Sequence, residues 1–141
     1  MLTLATTQVW VRDQDEAVAF WTQQVGFEVK EDVTVPQLGN FRWVTVGPVG
    51  QDGTAIVLMA IPGQPVMDEA TQAKVREVVG LGFATAVFFT VDDARAEYER
   101  LVAAGVQTTG EPTEQVYGVD FGFLDPSGNH FRVATRRAVW P

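Results

Sequence analysis

The sequence contains no cysteine and only one histidine, His130, in its 141 residues. Without cysteine there is no disulfide framework, no thiolate zinc site, no iron–sulfur cluster and no cysteine nucleophile. With one histidine, a multi-histidine metal centre is excluded as well. A chain of this length buries roughly two-thirds of its unfolded surface on folding, so it needs neither disulfides nor a structural metal. We therefore expect an ordinary globular domain.

Basic residues and long hydrophobic runs are also scarce. Ten Lys and Arg stand against 18 Asp and Glu, which gives a net charge of −8. Because nucleic-acid binding depends on clustered Lys and Arg, we expect no nucleic-acid partner. The longest apolar run, residues 55–61, is far shorter than the ~20 residues that span a bilayer, and the start of the chain does not resemble a signal peptide. We expect a cytoplasmic protein with no membrane partner.

The first half of the chain predicts one strand, one helix and three further strands. Residues 2–11 alternate between two faces, which indicates a strand. Asp13, with Glu16 three positions later, predicts the start of a helix that has an apolar stripe and ends at Gly26. The three strands are predicted at residues 27–35, 41–46 and 54–61, with turn-rich segments between them.

The second half predicts the same order of elements. A short helix at residues 67–79 separates the halves. A strand at 83–91 then leads into a helix that Asp92 or Asp93 caps and Gly105 closes. The last three strands are predicted at residues 106–109, 117–124 and 129–135.

Landmarks in the two halves recur at a nearly constant spacing. They are Asp13 and Asp93, 80 positions apart; Gly26 and Gly105, 79 apart; and the Pro-x-Gly turns at Pro48 and Pro126, 78 apart. The shared spacing and the shared order of elements predict an internal duplication. A duplicated unit favours a pseudo-twofold architecture with a site between the copies.

Three segments resemble the vicinal oxygen chelate superfamily, which includes glyoxalase I, the bleomycin-resistance proteins and the extradiol dioxygenases. They are VWVRDQDEAVAFWTQQVGFEV, TAVFFTVDDARAEYERLVAAGV and YGVDFGFLDPSGNHFRVAT. The resemblance implies an α+β fold of two tandem βαβββ modules, whose curved mixed sheet surrounds a cleft. Dimerisation commonly completes that cleft, so a homodimer is expected. We expect one domain over residues 1–141, with modules at about 1–62 and 81–141 and a linker helix at about 63–80.

The resemblance also identifies four positions that hold a metal in the metal-dependent members, as His, Gln or Glu. In this chain they are Thr6, Val57, Ala86 and Arg132. None offers a carboxylate, imidazole or amide donor, and a guanidinium repels a divalent cation. A shift of two residues along a strand would supply Gln8 and His130 instead, still beside Arg132. We predict no metal and no cofactor, with that two-donor site as the alternative.

Ligand-binding residues are predicted on the strand faces that contain Thr6 and Ala86. Aromatic side chains on such faces suit a flat or hydrophobic organic ligand, although they would equally fill a closed interior. The predicted residues are Thr6, Gln8, Trp10, Trp43, Ala86, Phe88, Tyr117, Phe121, His130 and Arg132.

Two of these residues are also candidates for catalysis. Arg132 would hold an anionic ligand group through its guanidinium; alternatively it pairs with an internal acid such as Asp120. His130 would act as a general base; alternatively it packs locally near its turn.

Three functional hypotheses follow. The first is a metal-free protein that binds a small aromatic or hydrophobic molecule, such as an antibiotic, in the cleft. The second is a lyase, isomerase or dioxygenase of the same superfamily that acts on a vicinal-oxygen substrate. The third is an interaction module whose cleft is filled.

Overall fold

A computed structural model describes residues 1–136. The first half contains strands β1 (Thr6–Val11), β2 (Glu28–Val35), β3 (Phe41–Gly47) and β4 (Ala55–Ala60), helix α1 (Gln14–Ala19), a π-helix (Phe20–Val25) and a 3₁₀-helix (Pro36–Leu38). Helix α2 (Glu69–Gly80) follows. The second half contains strands β5 (Phe88–Thr90), β6 (Thr113–Gln115), β7 (Gly118–Leu124) and β8 (His130–Arg136), and helix α3 (Ala94–Ala103).

The strands form two four-stranded mixed sheets with the same topology. The order is β1-β4-β3-β2 in the first sheet and β5-β8-β7-β6 in the second. In each, the first strand of the half pairs in parallel with the last, and the other pairs are antiparallel. The two βαβββ modules predicted from the sequence are confirmed.

The first helix begins and ends where the sequence predicts. Asp13 is its N-cap, and its carboxylate accepts a hydrogen bond from the Glu16 backbone N–H at 2.7 Å. The segment ends at Gly26, whose φ of 93° lies in the left-handed region that glycine adopts without strain. Between these ends the chain changes from α-helix to π-helix at Phe20, a change that the apolar periodicity did not predict.

Both modules contribute to one hydrophobic core. Trp21 of the first module is fully buried, and its ring packs against Phe27 and against Phe131 of the second module, each with ring centroids 5.1 Å apart. Phe123 stacks on Phe131 at 5.2 Å and extends this aromatic layer. The helix-facing sides of both sheets therefore pack together across the boundary between the modules.

Two predicted strands of the second half differ from the structure. Only residues 88–90 of the predicted strand 83–91 pair regularly, with β8. Residues 106–109 do not form a named strand, because they make an isolated bridge at Thr108 to Phe123 before the chain turns at Gly110, where φ is 140°. The regular pairing with β7 comes instead from residues 113–115.

The predicted limit of the second module at residue 141 lies outside the described residues. Within residues 1–136, none of the helices has the length and apolar character that crossing a bilayer requires.

Candidate functional site

The two sheets present equivalent sets of side chains on the faces that point away from the helices. In the first sheet Gln8 is opposite Val57, which is opposite Thr45. In the second, Phe88 is opposite Arg132, which is opposite Gly122. Val57 and Arg132 therefore hold the same register position, as the resemblance to the superfamily implies. We call these two surfaces the open sheet faces.

The first open sheet face combines polar and aromatic groups. Residues Thr6, Gln8 and Trp10 of β1 alternate with Val9 and Val11, which are buried in the core. Trp43 of β3 lies on this face opposite Val33, and its indole N–H donates a hydrogen bond to Glu31 at 3.3 Å. The side chains of Thr6, Gln8, Trp10 and Trp43 are partly accessible, whereas those of Val57 and Thr45 on the two middle strands are buried.

The second open sheet face is built around Arg132. Its Nη2 donates to Oδ2 of Asp120 at 2.6 Å, and the Tyr117 hydroxyl donates to the same oxygen. The Asp120 side chain is 3% exposed and that of Arg132 is 42% exposed. The acid is thus covered by its partners, whereas the Arg132 side chain remains partly exposed.

The environment of Asp120 sets its ionisation. Burial alone would raise the pKa of Asp120, but hydrogen bonds from Arg132 and Tyr117 outweigh burial and hold the pKa below its ordinary value of 3.8. The same bond raises the pKa of Tyr117, because it stabilises the protonated phenol. At neutral pH, Asp120 therefore neutralises the charge of Arg132.

His130 and Ala86 lie at the beginning of this face. The His130 ring sits against the backbone of Gly82, so closely that a Cβ there would be 2.4 Å from its Cδ2 atom. This contact is the local packing that the sequence analysis gave as the alternative to a general-base role for His130. Ala86 is exposed and precedes β5, and Phe88 is 69% exposed.

Phe121 does not lie on the open sheet face, which corrects its place among the predicted ligand-binding residues. It pairs with Val133, is 2% exposed, and packs edge-on against Tyr98 of α3 at 5.5 Å. The prediction extended the alternation from Thr6 and Ala86 to β7. The register between β7 and β8 instead puts Phe121 opposite Val133, on the core side of the sheet.

The donors on the open sheet faces do not fit a divalent metal. Thr6, Val57 and Ala86 offer at most a neutral hydroxyl, and Arg132 places a cation at the fourth position. The nearest carboxylate, Asp120, is already held by Arg132. Across residues 1–136, no group of three or more His, Cys, Asp or Glu side chains is close enough to share a metal ion.

A cavity of about 490 Å³ lies apart from Arg132, between β1 and β5. Sequence reasoning missed it, although it includes two residues predicted to bind ligand, Thr6 and Phe88. The other walls come from the core layer and from the turn after β3. Its volume falls within the range of small-molecule pockets.

Comparison with known proteins agrees with this architecture. The sequence pattern of the Glyoxalase/Bleomycin resistance protein/Dioxygenase superfamily matches residues 3–133. The uncharacterized protein YurT of Bacillus subtilis (strain 168) is 35% identical over 134 residues, which cover 94% of this chain and 98% of YurT. The chain belongs to this superfamily.

Two solved structures are similar over nearly the whole chain. UcmS2 is 38% identical with a TM-score of 0.87, and the match covers 95% of this chain and 98% of UcmS2. TnmS3, described as an antibiotic binding protein from Streptomyces sp. CB03234, is 26% identical with a TM-score of 0.72. That match covers 97% of this chain and 98% of TnmS3.

Proposed function

We propose that the protein binds a small aromatic or hydrophobic organic molecule, such as an antibiotic, on its open sheet faces without the help of a metal. The observation that carries this proposal is the arrangement at Arg132, where a guanidinium paired with a buried carboxylate occupies a metal-ligand position of the superfamily. The description of TnmS3 supports an antibiotic as the ligand.

The chemistry of the faces favours a neutral or weakly polar aromatic ligand. Because Asp120 neutralises Arg132, the pair gives little net attraction to an anion. The Arg132 side chain is partly exposed, and a guanidinium can stack on an aromatic ring. Trp10 and Trp43 supply broad apolar surfaces with few rotatable bonds. Gln8 supplies amide hydrogen-bonding groups beside them.

A second copy of the chain would complete the cleft. Val33 and Phe41 lie on the first open sheet face and are 51% and 36% exposed. Exposed apolar side chains on one face favour association. The proposal therefore includes a homodimer, which light scattering tests directly.

Binding is preferred over catalysis because Asp120 already neutralises Arg132, and no described acidic side chain pairs with the exposed His130. Arg132 is engaged by Asp120, and the His130 ring packs against Gly82. A lyase, isomerase or dioxygenase reaction remains the alternative. This alternative predicts that the wild type turns over a vicinal-oxygen substrate and that a His130→Ala, Arg132→Ala double variant does not.

The test is a thermal-shift screen with aromatic and other hydrophobic antibiotics, bleomycin included, followed by calorimetric titration of each hit. A ligand at about 100 times its Kd stabilises the fold by about 2.7 kcal/mol, which raises the Tm by several degrees. We expect Arg132→Met to weaken binding about tenfold or more. The control Arg76→Met, at an exposed position of α2, should stay within twofold of the wild type. Equal effects of the two variants would contradict the proposal.

A further inference from the structure

The boundary between the two modules is closed at one end by a buried asparagine. Asn129 is 0% exposed; its Nδ2 donates to the Trp10 carbonyl at 2.8 Å, and its Oδ1 accepts from the Thr85 hydroxyl at 3.1 Å. These bonds join the end of β1 to the segment before β5. The Arg12 backbone N–H adds a bond to the Ser127 hydroxyl at 2.9 Å.

The duplication predicts an equivalent closure by the residue that corresponds to Asn129, and among residues 1–136 the modules are joined on the cavity side by other groups, such as Gln24 and the Ala104 carbonyl. Val57 and Arg132 hold the same register position, so Thr54 and Asn129, three residues earlier, are equivalent. Thr54 is exposed, and its short side chain lacks the amide that joins the modules at Asn129. The cavity of about 490 Å³ opens here, between Thr54 and β5.

A difference in side-chain size extends the cavity into the core. Trp21 and Leu101 are equivalent positions of the two helical segments, 80 residues apart. The Trp21 ring fills its own side of the core against Phe27 and Phe131. Leu101, which is much smaller, lines the cavity.

The walls of the cavity define the ligand that it would accept. Four aromatic rings contribute to them, from Phe27, Phe88, Phe89 and Phe123. Threonine hydroxyls at positions 6, 7 and 54 provide hydrogen-bonding groups. Among the described lining residues Glu97 alone is charged, and it pairs with Arg100. A buried anion would therefore find no cationic partner there, which makes its desolvation costly.

We propose that this cavity, which borders the open sheet faces at Thr6 and Phe88, is a second binding site for a neutral aromatic molecule of about two to three rings. The proposal does not depend on the proposed function, because it rests on the boundary between the modules and on the cavity walls. Apolar burial would drive binding, and a threonine hydroxyl would bind one polar group of the ligand.

The test uses N-phenyl-1-naphthylamine, a neutral probe whose fluorescence rises in apolar surroundings. We expect a saturable site in the cavity with a micromolar Kd, whether or not the open sheet faces bind the probe as well. Thr7→Trp places an indole at the cavity mouth, where Thr7 is exposed, and should raise the Kd at least tenfold. The matched control Thr34→Trp places the same indole at an exposed position of β2 that lines neither the cavity nor the open sheet face, and should change the Kd by less than twofold.

A charged analogue tests the chemistry of the walls. 1-Anilinonaphthalene-8-sulfonate has the same ring system plus a sulfonate, and should compete with the neutral probe at least tenfold less well. If Thr7→Trp fails to fold by circular dichroism, Thr54→Trp, at another exposed position of the mouth, repeats the test. The inference is overturned by absent probe binding, by equal competition from the sulfonate, or by equal Kd values for Thr7→Trp and Thr34→Trp.

Discussion

The buried carboxylate of Asp120 accepts hydrogen bonds from three side chains, those of Arg132, Tyr117 and, at 3.5 Å, Thr113. The sequence left two alternatives open for Arg132: pairing with an internal acid such as Asp120, or holding an anionic ligand group with a free guanidinium. Alternation shows which residues share a face, but the pair also depends on the register between β7 and β8. That register is set by contacts between distant parts of the chain, which a single sequence does not show.

Replacing Asp120 by asparagine tests the electrostatic part of this arrangement. Folding lowers the pKa of Asp120 below 3.8, so the unfolded chain binds a proton first as the pH falls. The stability from this group is therefore fully present above about pH 5 and is lost as the pH falls through the folded-state pKa. Asp120→Asn should lose about 2 kcal/mol at pH 7 and show a smaller further loss at pH 3.5, as measured by urea unfolding. Equal pH dependence in both proteins would contradict this account.

Gly122 makes room for the same guanidinium. A Cβ at this position would be 2.7 Å from Nη1 of Arg132 and 2.6 Å from the Thr109 hydroxyl. Gly122→Ala should therefore displace Arg132, weaken antibiotic binding, and cost about 1–3 kcal/mol of stability. The control Gly80→Ala meets nothing within 4 Å at the end of α2 and should not destabilise the protein. Urea unfolding and calorimetric titration of both variants measure the difference.

The ends of the helices can be predicted from residues that are close together in the sequence. Their caps are local, so Asp13 and Gly26 marked the ends of the first helical segment correctly. Strand pairing is not local. Residues 106–109 have strand-forming side chains, but they form only two backbone hydrogen bonds to β7, through Gln107 and Thr109.

Helix α3 provides a test of capping. The Asp93 carboxylate accepts from the backbone N–H groups of Arg95 and Ala96, both at 3.1 Å. Asp93→Ala should cost about 1 kcal/mol, because it leaves these donors without their side-chain acceptor. Asp92 is exposed and is not the cap, so Asp92→Ala should stay within about 0.5 kcal/mol of the wild type. Urea midpoints of the two variants give the comparison, and equal losses would contradict the assignment of the cap.

At the scale of the whole molecule, the sequence predicted the internal duplication but not the differences between the two modules. The constant spacing of turns and caps indicated two modules. The cavity depends on small differences at equivalent positions, such as Trp21 against Leu101 and Asn129 against Thr54. Those pairs are visible in the sequence only after the strand register has established which positions correspond.

The shared core predicts that both modules unfold together. Trp21 contacts Phe89, Phe123 and Phe131 of the second module. Trp21→Leu should therefore lower the stability of the whole protein by about 2–4 kcal/mol while keeping one transition. Calorimetry measures this through the ratio of calorimetric to van't Hoff enthalpy. Two separate transitions in the wild type or in the variant would show that each module has its own core.

The metal content of protein purified without chelators tests the central claim most directly, together with thermal shifts on adding Ni, Zn, Mn or Fe(II). A metal that binds the folded state specifically must raise the Tm by mass action. The account predicts no stoichiometric metal and no shift, together with antibiotic binding that EDTA leaves unchanged. Stoichiometric metal with a clear rise in Tm, or antibiotic binding lost with EDTA and restored by metal, would contradict it.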